Sequence, residues 1–134
     1  MKYSIFFGAL MVFVLAGCQT PPALPPAPDA AVLGDHDNGQ TVVVSRNATI
    51  TATLTANPTT GYQWTMPTAP NPQVVQLVTS TFHPPDPGMP GAGGTQSWVF
   101  KTVGPGSAVV QLAYGPPPTP PTPATYFTFT VVAQ

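Results

Sequence analysis

The chain has 134 residues, only 5% of them charged, and a formal net charge of −1, which leaves no basic surface for nucleic acid and no strong field to steer a charged partner. Its 20 prolines and 12 glycines interrupt the apolar segments, excluding long helices and favouring short strands joined by turns. The single cysteine rules out a disulfide within the chain.

Met1-Lys2-Tyr3 gives a short positive start, Ile5 to Val14 is almost continuously apolar, and Leu15-Ala16-Gly17-Cys18 stands where a signal peptide is cut. The apolar run is too short to cross a membrane as a helix. Leu-Ala-Gly-Cys is similar to the bacterial lipoprotein signal. That resemblance implies a signal peptide over 1–17, acylation of the Cys18 thiol and a lipid anchor in the bacterial cell envelope. Gln19 replaces the aspartate that resembles an inner-membrane retention mark, so the outer membrane is expected. An ordinary secretory signal with an incidental cysteine is the alternative.

Residues 18–34 read as a tether, because Gln19-Thr20-Pro21-Pro22-Ala23-Leu24-Pro25-Pro26-Ala27-Pro28 is too rich in proline for a helix or a paired strand. In polyproline geometry about fourteen residues at ~3.1 Å each would hold a domain on the order of 40 Å from a lipid surface.

The folded domain is expected over 35–134. Asp35-His36-Asp37-Asn38-Gly39 is a turn, Thr41 to Ser45 an extended valine run, and Ile50, Ala52 and Leu54 alternate with threonines. Tyr62, Trp64 and Met66 share one face, and Val74 to Phe82 is a strand stopped by Pro84 and Pro85. Trp98 and Phe100 form the next pair, Val103 to Gly106 turns the chain, and Ala108, Val110, Leu112 and Tyr114 alternate again before Phe127, Phe129 and Val131. About seven strands without a helix signal predict an all-β, antiparallel β-sandwich. Large apolar side chains at roughly 1.5 to 3 kcal/mol each supply its core.

Two loops interrupt this pattern. Asn57-Pro58-Thr59-Thr60-Gly61-Tyr62 combines a turn-initiating Asn-Pro with a glycine free to adopt positive φ. Gly91-Ala92-Gly93-Gly94-Thr95 follows ahead of an aromatic strand. In that order the two resemble the loops of the chagasin-like family of cysteine-peptidase inhibitors, and Asp37 to Val42, Gly104-Pro105-Gly106 and Leu112-Ala113-Tyr114 fit the same pattern. The resemblance implies an immunoglobulin-like sandwich and reversible, non-covalent occlusion of a papain-type (C1) active-site cleft. Papain-family cysteine peptidases are then the partners and the chain is not an enzyme. Pro58 and Gly61 would hold a non-substrate shape, while Thr59 and Thr60 would offer small hydroxyls to the cleft. Gly91, Ala92, Gly93 and Gly94 would bring a second stretch of backbone close to the enzyme. An unadorned hairpin connection is the competing reading of these glycines.

The third loop departs from the family. Where one residue and then Arg-Pro-Trp are expected after Tyr114, the chain reads Gly115-Pro116-Pro117-Pro118-Thr119-Pro120, and only Pro117 matches. Pro116, Pro117 and Pro118 would wedge against an apolar wall or serve as a rigid surface connection. The loss of Arg and Trp, the residue types most often found at interface hot spots, keeps open a structural or adhesive β-sandwich lipoprotein as the alternative function.

No catalytic constellation is visible. The aspartates cluster in loops and no serine occupies a nucleophile elbow. Asp35 to Gly39 starts like a calcium loop, but Gly39 stands at a ligand position and Arg46 where a bidentate glutamate belongs. His36 and His83 lack cysteine neighbours at zinc spacing. Neither metal nor cofactor is implied, and nothing demands self-association, so a monomer is expected.

Overall fold

The computed structural model describes residues 17–86, 91, 93–116 and 125–134. Among them are eight strands: β1 (Ala30–Leu33), β2 (Thr41–Val44), β3 (Thr49–Ala56), β4 (Gln63–Thr68), β5 (Val75–His83), β6 (Gly94–Thr102), β7 (Gly106–Gly115) and β8 (Thr125–Ala133). They form two four-stranded sheets, in the orders β1-β3-β6-β5 and β2-β8-β7-β4. Packed face to face, they make the expected immunoglobulin-like sandwich.

Period-two alternation sets the core. Ile50, Leu54, Phe100, Val110, Leu112, Phe129 and Val131 are fully buried, and their strand neighbours, apart from the buried Ala113, face outward. Phe100 of one sheet meets Phe129 of the other edge to face at 5.8 Å, the preferred aromatic arrangement. Thr102 is the buried polar exception. Its hydroxyl accepts the Ala48 N–H at 2.8 Å and donates to the Ser45 carbonyl at 2.8 Å, satisfying the turn that joins β2 to β3.

Two expectations need correction. The folded unit begins before residue 35, because Ala30–Leu33, assigned above to the tether, pairs with β3. Ala-Ala-Val-Leu carries no proline, so each N–H is free to enter a ladder, and Leu33 is buried. Just ahead of it, the Pro28 and Asp29 carbonyls accept the N–H groups of Ser45 and Thr49, at 2.9 and 3.0 Å, and the Ser45 hydroxyl donates to the Asp29 carboxylate. The sandwich is also not wholly antiparallel, since β1–β3 and β2–β8 run parallel. Alternation gives the same pattern for either direction, so it does not distinguish them.

The turn over 35–39 uses its carboxylates internally. Asp35 accepts the Thr55 N–H at 2.9 Å and the Thr55 hydroxyl at 2.7 Å, and Asp37 accepts the Gly34 N–H at 2.7 Å.

Strand register then brings the loops together. Ala56 pairs with Gly94 and Gln63 with Gly115, so the connections after β3, before β6 and after β7 leave from one pole. Pro28 and Asp29 sit at the opposite pole, beside the start of β3.

Candidate functional site

At the first pole Asn57, with φ −132° and ψ 83°, stays out of the helical region, which the proline that follows disfavours. Pro58–Thr60 then forms a single 3-10 turn. The Thr60 N–H donates to the Asn57 carbonyl at 3.2 Å and the Gly61 N–H to the Pro58 carbonyl at 3.0 Å. Gly61 closes the turn at φ +80°, a left-handed conformation open to glycine at little cost. Pro58, Thr59, Thr60 and Gly61 are all exposed.

Asn57 is the hub. Its N–H donates to the Tyr114 hydroxyl at 3.0 Å and its Nδ2 to the Gly91 carbonyl at 3.4 Å. Its Oδ1 accepts the Thr59 hydroxyl, and its carbonyl accepts the Thr60 hydroxyl at 2.6 Å. Both threonine protons are thus directed into the loop, so the small hydroxyls expected to face a cleft face it as acceptors. What they present outward is lone pairs and methyl groups.

An aromatic ladder carries the loop down into the core. Tyr62 lies 5.7 Å from Tyr114, Tyr114 lies 5.0 Å from Trp64, and Trp64 meets Phe127 edge to face at 6.5 Å. Trp64 Nε1 donates to the Thr55 carbonyl at 2.9 Å, fixing the ring across the ends of β3 and β4. The sequence places Trp64 on a strand face and Tyr114 on a strand face and in the family pattern, but gives neither a part in holding the loop. The signal that marks them is an aromatic residue at the strand end bordering each loop.

The second loop's glycines serve the fold more than the expectation allowed. A Cβ on Gly93 would lie 3.1 Å from the Ala56 carbonyl oxygen, and one on Gly94 would overlap the His83 carbonyl oxygen and stand 2.8 Å from Phe82 Cζ. Only Gly91, at φ +81° with open space around it, is unconstrained by neighbours. Ala92 lies outside the described residues. Of the third-loop prolines, Pro116 is exposed, and Pro117 and Pro118 lie outside the described residues. Cys18 is exposed and free, distant in sequence from all three loops.

Comparison with curated protein sequences gives no match. Among solved structures, the chain is similar to a cysteine protease inhibitor of Entamoeba histolytica, with TM-score 0.68 and 26% identity over 81% of this chain and 100% of that one. It also shares its fold with Amebosin (TM-score 0.65, 24% identity, 78% of this chain and 98% of that one). PbICP-C in complex with falcipain-2 shares it too (TM-score 0.61, 18% identity, 78% and 98%). Residues 43–132 match the family described as Chagasin family peptidase inhibitor I42, and that match includes the hexapeptide, the glycine loop and the strands bearing them: the chain belongs to the chagasin family of peptidase inhibitors, which are not enzymes.

Proposed function

We propose that this protein inhibits papain-type cysteine peptidases reversibly and without a covalent step, by occluding the active-site cleft with the 57–62 and 91–95 loops, residues 115–124 being a further candidate for contact with the enzyme. The observation that carries this reading is the Asn57 hub, which ties an exposed turn to Tyr114 and to Gly91 and closes it internally through Thr60. A pre-formed loop loses little conformational freedom on binding, so more of its contact energy remains as affinity. The backbone of Pro58–Thr60 is helical and the Pro58 carbonyl is occupied by the Gly61 N–H. The wedge therefore offers no extended peptide to the enzyme's thiolate. The similar Entamoeba histolytica protein is a cysteine protease inhibitor, in agreement.

The direct test titrates the chain, begun after Cys18, against papain and a cathepsin while substrate hydrolysis is followed. Inhibition at or below micromolar protein is the expected result. Full hydrolysis at micromolar protein would remove the inhibitor reading and leave the adhesive or structural lipoprotein, which the missing Arg and Trp of the third loop favour.

We further propose that Cys18 is acylated and anchors the chain to the bacterial envelope, at the outer membrane. The tether enters beside Ser45 and Thr49, at the pole away from the loops, so an anchored domain would direct its wedge away from the lipid. Cys18→Ala is expected to accumulate as unprocessed precursor without radiolabelled lipid. Normal labelling of that variant would refute the anchor.

A further inference from the structure

Beside the wedge is a pocket of about 210 Å³ lined by Ala56, Pro58, Tyr62, Gln63, Phe82 and Gln96. No lining residue is charged. Phe82 reaches it from the end of β5, and its ring lies over the α-carbon of Gly94, where any Cβ would crowd it. The glycine loop thereby seats an aromatic wall, 37% exposed, next to the hexapeptide. Gln96 Nε2 donates to the Ser80 hydroxyl at 2.9 Å, which engages that amide on the β5–β6 pair.

We propose that this pocket receives one apolar side chain from the rim of the target peptidase's cleft, and that Phe82 is a specificity-determining residue for inhibition. The proposal rests on the inhibitor reading above. Pro58 and Tyr62 belong at once to the wedge and to the pocket wall, so a wedge seated in the cleft must bring the pocket against its rim. The occupant's chemistry follows from the lining: no residue there carries the opposite charge that would offset the desolvation of a charged side chain, whereas Ala56, Pro58, Tyr62 and Phe82 give an apolar group four apolar surfaces to pack on. The volume suffices, since a cavity of roughly 150 Å³ already accepts benzene. A Leu, Ile, Met or Phe side chain meets both conditions. Peptidases with Lys, Arg, Asp or Glu at that rim position would be discriminated against.

The test uses the chain begun after Cys18 and whichever of papain and a cathepsin it inhibits more tightly. Phe82→Ala is expected to weaken inhibition about tenfold, chiefly through faster dissociation. Phe82→Leu should restore most of the loss, because an apolar wall remains. Gln63→Arg, at an exposed lining position, should weaken inhibition about tenfold through a different wall, so that the result does not depend on how Phe82→Ala folds. Wild-type inhibition by either Phe82→Ala or Gln63→Arg would overturn the pocket's role while leaving the wedge intact. Absence of inhibition by the unmodified chain would overturn both together.

Discussion

Thr59→Arg is expected to weaken inhibition of papain about a hundredfold or more while leaving the thermal unfolding midpoint within about 2 °C of the parent. Thr59 is exposed in the middle of the 3-10 turn, at the tip that must enter the cleft. A guanidinium there adds bulk to the narrowest part of the wedge and carries a charge that must shed water on entry. The substitution also removes the hydroxyl that donates to Asn57 Oδ1, freeing the side chain whose Nδ2 ties the turn to Gly91. A hundredfold is about 2.8 kcal/mol, within reach of a steric clash at the centre of an interface. Stability should hardly respond, because an exposed loop position contributes little to the core. Inhibition constants and a melting curve on the same preparation separate the two effects. Equal inhibition by Thr59→Arg would mean that the hexapeptide does not enter the cleft.

Gly94→Ala should show the reverse, a large loss of stability. The new methyl group would overlap the His83 carbonyl oxygen and stand 2.8 Å from Phe82 Cζ. The ring can turn aside, but the carbonyl belongs to the backbone of β5, so the β5–β6 ladder must part where His83 pairs with Thr95. Overpacking of this kind costs about 1 to 3 kcal/mol or more. For a domain of this size the melting midpoint should fall on the order of 10 °C or more. Gly91→Ala is the internal comparison, since nothing lies near its Cβ and the cost is limited to the left-handed backbone, about 1 kcal/mol. A melting point unchanged in Gly94→Ala would show that β5 is not packed on this glycine. It would also remove the seat assigned to the Phe82 ring.

These two positions show how far each loop could be read without coordinates. The hexapeptide's shape is local: Asn-Pro restricts one residue, Pro58 restricts the next and Gly61 permits the closing φ, so its turn was legible from six consecutive residues. The glycine loop is different. Its residues were expected to bare backbone for a partner, yet Gly93 and Gly94 are small because Ala56, Phe82 and His83 lie against them. Only the pairing of strands discloses those neighbours.

The same division runs through the whole chain. Strand positions, the burial of Ile50, Leu54, Phe100, Val110 and Phe129, and the turn at 57–62 follow from period-two alternation and from the φ preferences of proline and glycine, which act within a few residues. Family membership followed from short motifs in order. By contrast, the parallel docking of Ala30–Leu33, the hydrogen bond from Asn57 to a tyrosine 57 positions away and the pocket shared by Phe82 and Tyr62 required the assembled sheets. Alternation specifies which face of a strand is apolar but neither its neighbour nor its direction, and these contacts exist only once both are chosen.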